Sequence, residues 1–286
     1  MNKQVVRDYR DNDELRNAFF SLADCVFNLN LRPWYEKGYW NEKYLPYSIV
    51  VDQRIIANVS VNIMNVEFSD CVHKYIQLGT VMTDPEFRNR GLIRQLMEVI
   101  FHDYKTADGF FLFANDQVKS FYPLFNFQSQ TEYRYALIPK PVKNAVVQLT
   151  MNGDQNGKRF LELKQRMHSL AAVEFDNDEL MMFYLISINQ HDVYYIAVYD
   201  ALLIARLSAG VLNVYAIYSS QDVSPAQICE CWMVQYDYAL FHFNPRDKHA
   251  MIKKPFAEEN TTLFVKGHKL ISDLNRIEVI PLLAHA

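Results

Sequence analysis

A change of hydrophobic period near residue 84 constrains this chain more than any other feature. Residues 75–83 read as an extended run that Asp84-Pro85 stops; from Gly91 onward Leu92, Ile93, Leu96, Met97, Ile100 and Tyr104 recur at helical spacing. Between them lies a short basic turn, Glu86-Phe87-Arg88-Asn89-Arg90. A strand that turns into a helix aims backbone N–H groups and the positive helix end at one point, which suits an anion such as a pyrophosphate. Gly91 lets a ligand approach the backbone closely, and two arginines add charge. Taken alone, the same residues read equally as an exposed loop with solvated arginines, so the surrounding pattern has to decide.

Upstream, Asp11 to Glu14 leads into an amphipathic helix carrying Leu15, Phe19, Leu22 and Val26. Residues 31–44, dense in Trp34, Tyr35, Tyr39, Trp40 and Tyr44, read as a second short helix. Strands follow at 47–51 and 54–68, joined at Asp52-Gln53. Downstream come a strand at 110–113, a helix at 116–125 and a closing strand at 133–138. This order predicts an α/β fold of the α+β, mixed-sheet kind. Pro139-Lys140-Pro141 and the Gly/Asn-rich 151–157 mark a boundary, which gives domains at 1–140 and 155–286. The second half repeats the outline, with helices at 160–170 and 178–189 and strands at 194–199, 202–207, 211–218, 238–243 and 261–265. Ser224-Pro225 opens one further helix.

Half of the 286 residues are hydrophobic and 22% are charged, enough for packed cores. A net charge of −4 gives no general attraction to nucleic acid. No segment reaches the roughly 18–20 apolar residues a membrane helix needs. The most apolar run, 194–214, is broken by Asp200, Arg206 and Asn213. The first residues lack the apolar stretch of a secretory signal, so a cytoplasmic protein is expected, with no membrane partner. Four cysteines make no disulfide framework, and Cys229-x-Cys231 has neither a second pair nor spaced histidines; reduced thiols and no metal are expected.

The run Val81-Met82-Thr83 to Arg88-Asn89-Arg90-Gly91-Leu92-Ile93 resembles the acetyl-CoA-binding motif of the GNAT N-acetyltransferase superfamily: a strand, then Arg/Gln-x-x-Gly-x-Gly/Ala, then a helix. Arg88 and Gly91 match, while Ile93 stands where the motif has Gly or Ala. A later segment, Asn115 followed by Tyr122-Pro123-Leu124-Phe125-Asn126-Phe127, resembles the family's Asn at a strand end and its Tyr-x-x-x-Gly-Phe, with Asn126 in place of Gly. The resemblance covers residues 3–138 as one domain, and the whole looks most like the tandem-domain, enhanced-intracellular-survival type. It implies two tandem GNAT-like acyl-CoA N-acyltransferase domains, the second degenerate and without a CoA site, and no sterol-carrier-like third domain. It further implies acetyl-CoA as co-substrate, bound by residues 81–83, 88–93 and Asn115, with Tyr122 protonating the departing thiolate. Some members of that type place a terminal carboxylate in the active site, a role not carried over to Ala286 because the segment that would deliver it is missing.

The acceptor side is less defined. An amine must lose a proton before it attacks, yet the strand where the family often places a Glu offers only Gln77. Asp24, Glu36, Glu67 and His73 are candidates, each equally readable as an ordinary surface group. Trp34, Tyr35, Glu36 and Tyr39 are candidates for a substrate wall, against the alternative of core packing. The expected activity is acetyl transfer to a primary amine of a small molecule or peptide by direct attack in a ternary complex. The alternative is a non-catalytic acyl-CoA-binding sensor or scaffold. Self-association stays open.

Overall fold

The computed structural model describes residues 3–138, 140, 142, 146–151 and 153–286. Most of the boundary expected at Pro139-Lys140-Pro141, and the first two residues, lie outside that set. The first half runs β1 (Gln4–Arg7), α1 (Asp13–Phe27), α2 (Arg32–Glu36), β2 (Tyr44–Val51), β3 (Arg54–Glu67), β4 (Val72–Thr83), α3 (Leu92–Asp103), β5 (Gly109–Asn115), β6 (Gln128–Gln130) and β7 (Glu132–Leu137). Then follow β8 (Val146–Leu149), α4 (Asp154–Lys164), β9 (His168–Ser169), β10 (Glu174–Asp176), α5 (Asp178–Ser187), β11 (Val193–Ile196), β12 (Ala201–Ser208), β13 (Val211–Ser219), α6 (Pro225–Glu230), β14 (Tyr238–Phe241), β15 (Ile252–Phe256), β16 (Thr261–Lys266) and α7 (His268–Ile277).

These strands form two mixed sheets, as the α/β expectation required. The first has the order β1-β2-β3-β4-β5-β16-β6, the second β15-β7-β14-β13-β12-β11-β8. Strands β1 to β4 are antiparallel neighbours, and the α3 crossover returns the chain parallel to β4 as β5. Alternation along β4 and β5 sorts side chains onto two faces. Ile76, Leu78, Phe110 and Leu112 pack with Leu92, Leu96, Met97 and Ile100 of α3. Tyr75 and Phe111 look the other way, onto Met64, Leu263, Val265, Val173 and Phe175.

The strand at 133–138, expected to close the first sheet, is a correction. It forms β7 but lies in the second sheet, between β14 and β15. The place beside β5 is taken by β16, from near the other end of the chain, with Thr261 opposite Asn115 and Lys266 opposite Phe110. Each sheet thus buries a strand contributed by the other half, which removes the exposed edge β5 would otherwise carry. Short-range pattern reports that a segment is a strand, never which distant strand pairs with it.

Other expectations shift locally. The helix expected over 31–44 is only Arg32–Glu36, and the one over 116–125 is two 3₁₀ turns, Asp116–Val118 and Tyr122–Phe125, the second holding Pro123. The helix over 160–170 ends at Lys164, and the next residues become β9. Cys229 and Cys231 are buried and stand in no disulfide, and no group of three metal-ligating side chains occurs among the described residues. Among those residues no helix is long and apolar enough to cross a membrane.

Candidate active site

Strands β4 and β5 pair at only three positions, Tyr75 with Gly109, Ile76 with Phe110 and Gln77 with Phe111. Beyond them the strands separate, and residues 78–83 of β4 keep no strand partner among the described residues on the β5 side. A β-bulge falls in this stretch: Asn58 lies opposite Met82 but Ser60 opposite Gly79, so β4 carries an extra residue. Core membership shows its effect. Leu78 and Val81 face α3, whereas Met82 turns to the α1 side with Phe19 and Trp34.

Asp84, immediately after Thr83, closes the strand. Its carboxylate accepts from the Glu86 N–H at 3.0 Å and pairs with Arg54 at 2.8 Å. Asn89 and Gly91 then adopt left-handed backbone, φ 61° and 71°, a conformation glycine enters without strain. Gly91 is the N-cap of α3 and brings no side chain to it, so the first amides of the helix are uncapped. A Cβ on Gly91 would meet nothing within 4 Å, so the approach to those amides is open. Arg90 is tied to the Glu86 carbonyl at 2.9 Å and stacks on Phe87. Arg88 is exposed and has no hydrogen bond or ion pair with any described residue. Ile93 is half-buried against the α3 core, so its bulk points away from the turn.

Asn115 ends β5 at the far lip of the opening. Tyr122 follows on the second 3₁₀ turn, which closes at Asn126 with φ 64°, the left-handed position where the family motif has Gly. Tyr122 is 4% exposed, packs on Phe121, Phe127 and Phe264, and its hydroxyl hydrogen-bonds to no described residue. Burial pushes its phenol up to about 12, which keeps it protonated through neutral pH.

On the face away from α3, the end of the chain crosses the opening. A Cβ on Gly79 would lie 2.8–2.9 Å from the backbone and Cβ of Ala286, so only glycine fits there. His285 stacks on Phe113 with ring centroids 3.6 Å apart, and its carbonyl accepts from the Tyr184 hydroxyl at 2.9 Å. This corrects the expectation that no segment delivers Ala286 to the site: α7 and the exchanged β16 bring it there. Between Tyr75 and Gly79, Gln77 is fully buried with neither amide atom paired among the described residues.

The other acceptor-side candidates scatter. Trp34 is buried, donates its indole N–H to the Glu179 carbonyl at 2.7 Å and stacks on Trp40, so it is a core residue. Tyr35 holds the Arg16 guanidinium, Glu36 is exposed, and Tyr39 lies against Gly157 of α4. Asp24 and Glu67 are exposed on α1 and at the end of β3. His73 pairs with Asp273 at 3.0 Å, four residues before the strands part. None of these meets Gly79 or Thr80 in a hydrogen bond.

Sequence comparison finds the acetyltransferase (GNAT) domain model over residues 6–128. No curated protein matches the chain. A conserved protein of unknown function from Enterococcus faecalis V583 superposes with a TM-score of 0.59 at 16% identity, covering 96% of this chain and 75% of that one. The GCN5-related N-acetyltransferase from Kribbella flavida gives 0.57 at 13%, covering 92% and 71%. Eis1 from Mycobacterium abscessus gives 0.58 at 12%, covering 96% and 76%. At such identities the likeness is one of fold, and it extends across both sheets. Residues 6–128 of this chain thus match an acetyltransferase (GNAT) domain model, and they are followed by a second mixed-sheet unit that exchanges a strand with the first.

Proposed function

We propose that the chain transfers an acetyl group from acetyl-CoA to a primary amine of a small molecule or peptide. The observation that carries this reading is the closeness in sequence of two open features, the end of β4 and the start of α3. Residues 78–83 of β4 have no partner on the β5 side, and α3 begins with uncapped amides beside an unpaired Arg88. An extended amide-bearing arm fits the first and a pyrophosphate the second. The opening thus suits a ligand carrying both, as CoA does.

Bound there, acetyl-CoA would supply the thioester. Strand residues Val81 to Thr83 hold its arm, and the amides of Leu92 and Ile93 with Arg88 hold its phosphates. Asn115 lines the far lip. Tyr122, protonated at neutral pH, gives its proton to the sulfur as the amine attacks the carbonyl carbon and the C–S bond breaks, and the proton that the nitrogen sheds returns by way of water to the phenolate. Much of the rate enhancement comes from holding amine and thioester together in one cleft. The acceptor enters from the face bounded by His285 and Ala286.

A non-catalytic acyl-CoA sensor is the alternative, favoured by one observation: among the described residues no unpaired carboxylate side chain stands at the β4 bulge to take the amine's proton. Thiol release from acetyl-CoA across a panel of amines separates the two. Tyr122→Phe should lower kcat about a hundredfold to ten-thousandfold with acetyl-CoA affinity unchanged, the range of a lost general acid. Full activity in that variant removes Tyr122 from the mechanism, and binding without turnover on any amine supports the sensor.

A further inference from the structure

The β4 bulge carries an outlier. Thr80, a β-branched residue, sits at φ 42°, a conformation that costs on the order of 1–3 kcal/mol and persists only where neighbours enforce it. The neighbours are a single chain of buried polar side chains. Tyr9 Oη lies 2.7 Å from Ser48 Oγ, and Ser48 Oγ 2.8 Å from Asn58 Oδ1. Asn58 Nδ2 is 2.9 Å from both Ser60 Oγ and the Thr80 carbonyl oxygen. Ser60 Oγ is 2.9 Å from Tyr44 Oη, which is 2.8 Å from Thr80 Oγ1. Ser48, Asn58 and Ser60 are fully buried, Tyr9 and Tyr44 nearly so; only Thr80 reaches the surface, where β4 has left β5.

One arrangement of the protons in this chain leaves no buried hydroxyl hydrogen unpaired. A backbone carbonyl can only accept, so the Asn58 atom facing the Thr80 carbonyl is the NH₂ group, and its Oδ1 must face Ser48. Ser48 therefore donates to Asn58, and Tyr9 donates to Ser48. In the other direction Asn58 spends its second hydrogen on Ser60, so the Ser60 hydroxyl donates to Tyr44. Tyr44, already accepting, donates to Thr80. Burial raises the Tyr44 phenol to about 12, so it keeps that proton at neutral pH. Thr80 Oγ1 accepts, and its own hydrogen has no acceptor among the described residues.

We infer that Thr80 is a preset hydrogen-bond donor, and that its hydroxyl donates to the thioester carbonyl oxygen of the acyl donor, with Tyr44 and Asn58 as positioning residues. This rests on the acyl-CoA reading above and adds a named donor to it. Negative charge grows on that oxygen as the amine attacks, and a donor already oriented there stabilises the transition state without reorganising. The strain at Thr80 is then the cost of placing a side-chain hydroxyl where a regular strand would turn it toward α3.

The test compares Thr80→Val, Thr80→Ser and Tyr44→Phe with the unmodified chain, measuring acetyl-CoA affinity by calorimetry and kcat with a reactive amine. Thr80→Val replaces the hydroxyl by a methyl group and should cost about a hundredfold in kcat, with acetyl-CoA affinity within about twofold and a melting temperature lower by a few degrees, because the buried Tyr44 hydroxyl loses its acceptor. Thr80→Ser should recover most of the loss, and Tyr44→Phe should fall between. A Thr80→Val variant with undiminished kcat overturns the inference and leaves acetyl transfer standing. Loss of affinity in parallel with kcat also overturns it, since the hydroxyl would then serve binding alone. An unmodified chain that binds no acetyl-CoA brings down both readings together.

Discussion

In the first sheet β4 leaves its parallel neighbour β5 after Gln77 and Phe111; in the second, β13 leaves its parallel neighbour β14 after Val214 and Phe241. The two openings have the same origin, a parallel pair that diverges, and opposite contents. Into the second the chain lays its own residues 168–172. Ser169 pairs with Tyr218, the Leu170 N–H reaches the Ile217 carbonyl at 3.0 Å, and on the other side Ala172 donates to Asn244 and Arg246 donates to Leu170, both at 2.8 Å. Both strand edges are satisfied from within. The helix that follows is closed too: Ser224 caps α6, with Gln227 reaching back to complete a capping box. Where Arg88 stands beside the first helix, Asp222 stands beside the second. An opening can become a site only when its backbone groups are left unpaired; the first leaves them unpaired among the described residues, and the second pairs them with the chain itself.

The largest expected effect comes from making the first opening resemble the second in charge. Arg88→Glu with Gly91→Asp places two carboxylates at uncapped amides and should weaken acetyl-CoA binding about a thousandfold, some 4 kcal/mol. Calorimetry on the unmodified chain should give one acetyl-CoA per chain, and Asp222→Lys should leave both affinity and stoichiometry unchanged. A second binding event, or undiminished affinity in the double variant, breaks the comparison.

The next effect is on stability. Leu170 is buried in the second core and its backbone seals the second opening. Leu170→Ala should cost about 3 kcal/mol, as expected for a large-to-small core change, seen as a lower denaturant midpoint. Its acetyl-CoA affinity should match the unmodified chain. A loss of affinity would show that residues 168–172 act on the first site.

The first opening was legible in the sequence because its cues are local. Asp84-Pro85 stops a strand, Gly91 permits a left-handed cap, and Asn126 takes the left-handed place of a glycine, all within a few residues of what they control. The occupant of the second opening was not legible. Residues 160–170 carry enough apolar spacing to read as one helix, and only pairing with Ile217 and Arg246 makes their end a strand. The same limit hid the exchange of β7 and β16, the arrival of Ala286 at Gly79, and the orientation of Thr80. Each is decided by a partner dozens to hundreds of residues away. Thr80 in particular sits between Gly79 and Val81 as an ordinary strand residue, and nothing nearby announces a bulge.

The smallest effect tests the helix starts directly. Ser224→Ala removes the hydroxyl that accepts from the Gln227 N–H and leaves that amide to water, which should lower stability by about 1 kcal/mol. The reciprocal change, Gly91→Ser, brings a capping hydroxyl to α3 but forces a non-glycine residue to hold φ 71°. Any stability the cap adds is offset by that strain, so the melting temperature should hardly move, while acetyl-CoA affinity falls because the hydroxyl competes for the amides the phosphates use. A Gly91→Ser chain that binds acetyl-CoA as tightly as before would mean that the α3 amides are not the anion site. The contrast between the two openings would then rest on strand pairing alone.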